Sequence, residues 1–201
     1  MLDDIVILPA NKADCEDLQA VFGQRGAGAS CQCQRYKLQP NEAFSKFPVE
    51  ERARRLREQT HCGESNSETT SGLVAYLDGV PVGWCAVERR TAYLGLVRVF
   101  RVPWEGRKED RTDESVWAVT CVFVRAGYRR RGITYALAQA AVDHARQRGA
   151  RALEAYPMVT KPGQVIAWDE IHVGTRNMFE AAGMREVIQP SVRRVVMRIE
   201  F

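Results

Sequence analysis

The 201-residue sequence has no apolar run long enough to span a bilayer, which excludes a transmembrane helix. Its opening, MLDDIVILPANKADC, carries acids where a secretory signal has bases, so a cytoplasmic location is expected. No internal repeat and no low-complexity linker divides it, so one domain is expected, with room for a sizeable insertion. The six cysteines (15, 31, 33, 62, 85 and 121) are scattered, without the regular spacing of a disulfide framework. In a reducing compartment they read as thiols. A strong charge of one sign is also missing. The formal net charge of +4 is too mild to argue for a nucleic-acid partner, and much of the excess sits in Arg129–Arg131.

What is present is organised around Val116 to Ala150. Val116–Val124 is rich in Val, Trp, Cys and Phe and free of charge, the profile of a strand covered on both faces. From about Gly132 to Arg148, the residues Ile133, Leu137, Ala140, Ala141 and Ala145 recur at helical spacing, and Gly149 ends the pattern. Between them lies Arg129-Arg130-Arg131-Gly132-Ile133-Thr134. The first N–H groups of a helix lack intrahelical partners, and the helix dipole places partial positive charge there. A glycine admits close approach, and arginines add forked donors, so the turn suits a phosphate or pyrophosphate. The alternative is an exposed turn with a solvated basic run.

The rest reads as alternating elements. Ile5–Leu8 is an apolar run suited to a first strand, and Lys12 to Gly23 has helical spacing at Cys15, Leu18 and Phe22. Gly26 to Tyr36 reads as a glycine-punctuated loop, Val49–Gln59 as a charged helix, and His61 to Gly72 as a polar loop. Leu73–Leu77 and Val80–Val87 form a hairpin about Asp78-Gly79. Arg89 to Ser115 is long for a structureless loop and has room for a short helix. Ala152–Tyr156 is a fifth strand, and a right-handed crossover makes it the parallel neighbour of Val116–Val124. A loop with Lys161-Pro162-Gly163, a helix over Thr175 to Ala182, and strands at Met184–Ile188 and Val192–Ile199 complete the chain.

The strand, arginine turn, helix and following strand resemble the acyl-CoA-binding core of the GNAT (GCN5-related N-acetyltransferase) superfamily. Its Arg/Gln-x-x-Gly-x-Gly/Ala pattern is matched by Arg129-x-x-Gly132-x-Thr134, with Thr134 in place of the small last residue. "LVAYLDGVPVGWCAVE" and "MFEAAGMREV…VVMRI" resemble the family's second and third strands and its final helix–strand–strand unit. The likeness is good over residues 73–201 and loose before that. The early Cys-x-Cys loop and the Tyr-Arg-Arg-Arg-Gly turn resemble a bacterial subset. The resemblance implies one α/β domain over 1–201. It would have a mixed, mostly antiparallel seven-stranded sheet, a central splayed parallel pair, helices on both faces, and often a homodimeric assembly. It also implies acetyl-CoA as co-substrate, with the pyrophosphate on Arg129, Arg130, Arg131, Gly132, Ile133 and Thr134. Tyr135 would lie beside it, and the pantetheine would pair with Val122, Phe123 and Val124. His172 stands where the family has an asparagine contacting the pantetheine, and Phe179 where it often has a tyrosine that protonates the leaving thiolate.

Acyl transfer to an amine requires a held thioester, a polarised carbonyl, a neutral amine and a proton for the leaving group. Glu154, inside an apolar strand, is a candidate base because burial raises a carboxyl pKa; Tyr156 shares its face. The alternative for Glu154 is an ion pair with an arginine. Glu88 is a second candidate, or a solvated strand end. Cys31 and Cys33 with His61 and Cys62 would make four zinc ligands, but the wide spacing and the Cys-x-Cys pattern favour thiols in a loop or substrate pocket, and no metal is expected. The expected activity is direct acetyl transfer from acetyl-CoA to an amine on a small molecule or peptide. Phe179 motivates the alternative of a non-catalytic acyl-CoA sensor. A nucleic-acid module is disfavoured because no aromatics interleave with the arginines. No membrane partner is expected.

Overall fold

The computed structural model describes residues 5–161, 163 and 166–201. The acids Asp3 and Asp4 of the opening, and Pro162, lie outside them. Seven strands form one sheet: β1 (Ile5–Pro9), β2 (Leu73–Leu77), β3 (Val80–Arg89), β4 (Val116–Val124), β5 (Ala152–Ala155), β6 (Arg185–Ser191) and β7 (Arg194–Glu200). They lie in the order β1-β2-β3-β4-β5-β7-β6. Every pairing is antiparallel except β4 with β5, which is parallel. Asp78 and Gly79 close the β2–β3 hairpin with φ of 50° and 77°, the positive values a tight primed turn needs.

Helices cover both faces. On one, α5 (Ile133–Gln147) buries Ile133, Leu137, Ala138, Ala141, Val142 and Ala145 against Val82, Val119 and Leu153 of the sheet. The buried end of α7 (Arg176–Ala181) joins the same core through Met178 and Phe179. On the other face, Leu18, Val21 and Phe22 of α1 (Cys15–Phe22) and Leu56 of α3 (Val49–Thr60) pack on Val74, Trp84 and Cys121. A third cluster, holding Tyr36, Tyr93, Leu96, Tyr156 and Val196, covers the β5–β7 half of that face beneath α4 (Leu94–Val99). Coverage on both sides is what the uncharged β4 sequence requires, and all of β4 except Phe123 is buried. No helix among the described residues is long and apolar enough to cross a membrane.

Two local expectations are corrected. Gly26–Cys31 is a short helix, α2, rather than a loop. Glycine is a poor helix former, so tertiary contact decides: a Cβ on Gly28 would stand 3.1 Å from the Phe123 ring, so only a small residue lets α2 approach β4 this closely. The cysteines are not all thiols either. Cys15 and Cys62 form a disulfide, with Cα atoms 5.0 Å apart, tying the start of α1 to the turn after α3. The Gly63 N–H donates to Ala13 O at 2.8 Å and brings the same two segments together.

Candidate active site

The site grows from an irregularity in β4. Its register with β3 runs from Gly83↔Val124 to Ala86↔Cys121 and resumes at Val87↔Val119, leaving Thr120 as an extra residue. Such a bulge reverses which backbone groups face which neighbour. The Arg125 N–H donates to Val82 O at 2.9 Å, toward β3, so the backbone groups of Val124 and Val122 point the other way. On that side β5 pairs with β4 only over Val116–Val119, and the chain leaves at Pro157. The two strands therefore part at the level of Val122–Val124. The Val122 N–H donates to the carbonyl of His172 at 2.6 Å, and Val124 O accepts from Arg129 Nε at 3.3 Å.

The arginine turn follows directly. A short 3₁₀ segment, Ala126–Tyr128, leads into Arg129, and Arg130 and Gly132 adopt positive φ of 64° and 78° before α5 begins. Arg129, Arg130, Arg131 and Gly132 are exposed, Thr134 is half-buried and Tyr135 is exposed. Buried Ile133 anchors the helix start in the core. Tyr135 and Ala136 N–H groups donate to Gly132 O at 3.0 and 3.1 Å, so the first helical N–H groups lie at Ile133 and Thr134. A Cβ on Gly132 would meet nothing within 4 Å. Positive φ requires the glycine, and the space above it is open to a ligand.

Three cavities that share lining residues follow one another from Arg129 of this turn and together form a groove. Its first stretch lies between Gly23–Gly28 and the Phe123–Arg129 segment. Past Phe22, Gly28 and Phe123 it becomes an apolar pocket walled by Cys31, Cys33, Tyr36, Cys121 and His172. Beyond Tyr36 and His172 it opens again beside Arg35, Phe100, Met158, Arg193 and Arg194. At its centre Tyr36 Oη lies 3.3 Å from His172 Nε2. Burial pushes the Tyr36 phenol above its usual range, with Arg194 partly opposing. The Trp84 indole N–H donates to Cys33 Sγ at 3.0 Å. A hydrogen bond with Cys33 and burial hold the Cys121 thiol well above its ordinary range, and burial raises Cys31 as well. Cys31 and Cys121 therefore remain thiols at neutral pH, which does not suit a nucleophile.

The structure separates other expected residues from the groove. Glu154 is fully buried and lines none of it. Its carboxylate meets Arg90 at 3.1 Å, Arg198 at 2.6 Å and Arg107, and accepts the Tyr156 hydroxyl at 2.7 Å. Burial alone would raise its pKa, but the guanidinium groups outweigh it and hold Glu154 below the usual carboxylate value. The expected raised base is thus reversed, and the ion-pair alternative is the observed arrangement. Burial and Glu154 keep Tyr156 protonated, its hydroxyl committed to that carboxylate. Glu88 pairs with Lys37 and borders a different pocket, beside Trp117 and His144. Phe179 has no exposed surface and sits in the core under α5 rather than along the groove. The zinc set is not assembled, since Cys62 is bridged to Cys15. No group of three or more candidate ligands is placed to hold a metal among the described residues.

Sequence reading missed Tyr36, Cys121, Arg35 and Arg194 as groove residues. The one available signal was an aromatic, Tyr36, isolated between Arg35 and Lys37 in a polar stretch.

The model of the Acetyltransferase (GNAT) family matches residues 36–168. The chain belongs to the GNAT acetyltransferase family. Solved structures agree on the fold. An N-acetyltransferase from Staphylococcus aureus Mu50 is similar with a TM-score of 0.53 and 16% identity, over 98% of each chain. The GNAT domain of S. lividans PAT is similar at a TM-score of 0.50 and 15% identity, over 99% of this chain and 90% of its own. The yncA protein of Salmonella typhimurium, solved with its cofactor acetyl-CoA, matches at 0.50 and 14% identity, over 98% of this chain and 93% of its own. No curated protein matches the sequence. The GNAT family uses acetyl-CoA. The open space over Gly132, the outward first N–H groups of α5 and the β4 edge that β5 leaves beyond Val119 fit that co-substrate.

Proposed function

We propose that this GNAT protein transfers the acetyl group of acetyl-CoA directly to an amine on a small molecule or peptide. The observation that carries the reading is the groove joining the arginine turn, the bulge-freed edge of β4 and the Tyr36–His172 pair. The backbone of Arg129–Thr134 and the arginine side chains hold the pyrophosphate, with Tyr135 alongside. The edge at Val122–Val124 receives the pantetheine amides, and Phe123 walls the groove between the two regions. His172 contributes its carbonyl to this edge and its ring to the pair with Tyr36.

Bound acetyl-CoA supplies an activated thioester carbonyl. The chain orients it against β4 and keeps water away with Phe22, Phe123 and Cys121. Tyr36, kept protonated by burial, donates the proton that the leaving sulfur needs, in place of the tyrosine absent at position 179. His172, at hydrogen-bond distance, orients the Tyr36 hydroxyl. Tyr156 lines a small cavity beside Tyr36 and Arg194, its hydroxyl held by Glu154, and neither residue takes part in proton transfer to substrate.

The test is calorimetric titration of the protein with acetyl-CoA beside the Gly132→Glu variant. Glutamate there strains the positive φ and places a carboxylate where the pyrophosphate lies. Binding by the wild type that the variant loses is the expected result. Absence of wild-type binding refutes the proposal, and binding without release of CoA thiol over a broad amine panel supports a sensor instead.

A further inference from the structure

The groove has two ends. One is the arginine turn assigned above to the co-substrate, so the other, beyond Tyr36 and His172, belongs to the acceptor. That mouth is basic. Arg35, Arg193 and Arg194 border it against one carboxylate, Glu170, which Arg193 already engages. Arg35 has no carboxylate partner among the described residues; its guanidinium lies 5.8 Å over the Phe44 ring. Arg194 likewise has none there, donating instead to Tyr156 O at 3.1 and 2.6 Å. Arg54, Arg90, Arg107, Arg151 and Arg198 meet carboxylates, whereas Arg52, Arg111 and Arg125, like Arg194, donate to backbone carbonyls. Tyr36 lines this mouth together with both arginines, and their charges oppose the upward shift that burial gives its phenol. Phe100, 4.6 Å from the Tyr36 ring, and Met158 give the mouth an apolar wall.

We infer that the acceptor is a small amino acid whose carboxylate is held by Arg35 and Arg194, with its amine at the Tyr36–His172 pair and an apolar side chain on Phe100 and Met158. A planar fork suits a carboxylate, and a guanidinium beside an aromatic wall recognises that group in a partly dry site. The inference rests on the acetyltransferase reading. Direct transfer needs no further reactant: the neutral amine nitrogen bonds the acetyl carbon, the carbon–sulfur bond breaks, Tyr36 protonates the CoA sulfur, and the proton shed by the amine returns to Tyr36.

Release of CoA thiol is measured with matched pairs, L-phenylalanine against L-phenylalaninamide and L-methionine against L-methioninamide, for wild type, Arg35→Gln and Arg35→Lys. Acetyl-CoA affinity is measured in parallel by calorimetry. The amide's amine is less basic and more available, so intrinsic reactivity favours the amide. The acid is expected to have a kcat/KM about tenfold higher or more, the scale of one charge-assisted hydrogen bond. Arg35→Gln should raise the KM of the acids and erase that preference, Arg35→Lys should restore part of it, and acetyl-CoA affinity should not change. Bound acetyl-CoA with amides used as well as acids, or with neither acid acetylated, overturns the inference and leaves the co-substrate reading standing. Failure of wild type to bind acetyl-CoA overturns both.

Discussion

Replacing Glu154 by glutamine separates a structural carboxylate from a catalytic one. The side chain has no exposed surface, and neither has Arg90, its partner at 3.1 Å. Arg107 and Arg198 are also nearly enclosed, and Glu109 is the second carboxylate, 3.0 Å from Arg107 and 3.4 Å from Arg198. Three guanidinium groups thus face three carboxylates, Glu154, Glu109 and the exposed Glu200 on the outer side of Arg198; Glu154→Gln removes the fully buried one and leaves a net of +1. Breaking a buried ion pair on one side costs about 3–5 kcal/mol, because the remaining charge has lost both water and partner. For a chain of this length that corresponds to a fall in Tm of roughly 6–20 °C. Chemical and thermal unfolding measure it, with CoA thiol release measured on the same samples below their transitions. The expected outcome is a large loss of stability and little change in turnover per folded molecule. Stability within about 1 kcal/mol of wild type, together with a collapse of kcat, would refute the structural reading and return Glu154 to the chemistry. The pH dependence adds a sign. A carboxyl held below its ordinary value of 4.5 stabilises the fold fully above that value and loses the contribution as pH falls below it. Glu154→Gln should therefore flatten the acid limb of the stability profile.

Tyr36→Phe removes the proposed acid and should lower kcat by about 10²–10⁴-fold while leaving acetyl-CoA affinity unchanged, and an unchanged kcat would exclude Tyr36 as the donor. His144, buried against the edge of Trp117, is held by burial, with Arg148 adding to the effect, at about 4 instead of 6.5. The unfolded chain binds the extra proton first, so its contribution is complete above pH 6.5 and lost as pH falls toward 4, and His144→Gln should abolish that part of the decline in urea unfolding. Reduction of the Cys15–Cys62 bridge, 47 residues apart, should lower stability by up to about 4 kcal/mol on loop-closure entropy, and a Cys15→Ala/Cys62→Ala protein that melts like the oxidised wild type would show that the bridge constrains nothing.

The sheet and the arginine turn were legible because their determinants are local. An uncharged run, three arginines, a glycine and an apolar helical stripe follow one another within Val116–Gln147, and each specifies its own backbone. Asp78-Gly79 is equally local. The bulge at Thr120 is not, since VWAVTCVFV is as uniform there as anywhere else, and the extra residue shows only against the β3 register. The same holds for α2, a helix of weak formers that exists because Phe123 and Phe22 leave room for nothing larger than Gly28. The Cys15–Cys62 bridge spans the helical segment from α1 to α3, whose closure no spacing rule announces.

Glu154 shows most clearly why the chemistry was harder to read than the fold. A lone carboxylate in an apolar strand carries one sequence-level implication, that burial raises its pKa, and this is sound as far as it goes. The outcome turned on Arg90, Arg107 and Arg198, which stand 64, 47 and 44 positions away in the chain. Residue 179 poses the opposite problem. There the resemblance implies a phenol where the sequence has Phe179, and the structure buries Phe179 wholly in the core. A phenol enters the groove from the far side of the sheet sequence instead, at Tyr36, 136 positions from the histidine it meets. A proton donor need only reach the leaving sulfur; it need not ride on a particular helix. If Tyr36 fills that role, restoring the lost hydroxyl with Phe179→Tyr should not rescue Tyr36→Phe, because a tyrosine at 179 would direct its hydroxyl into the packing beneath α5.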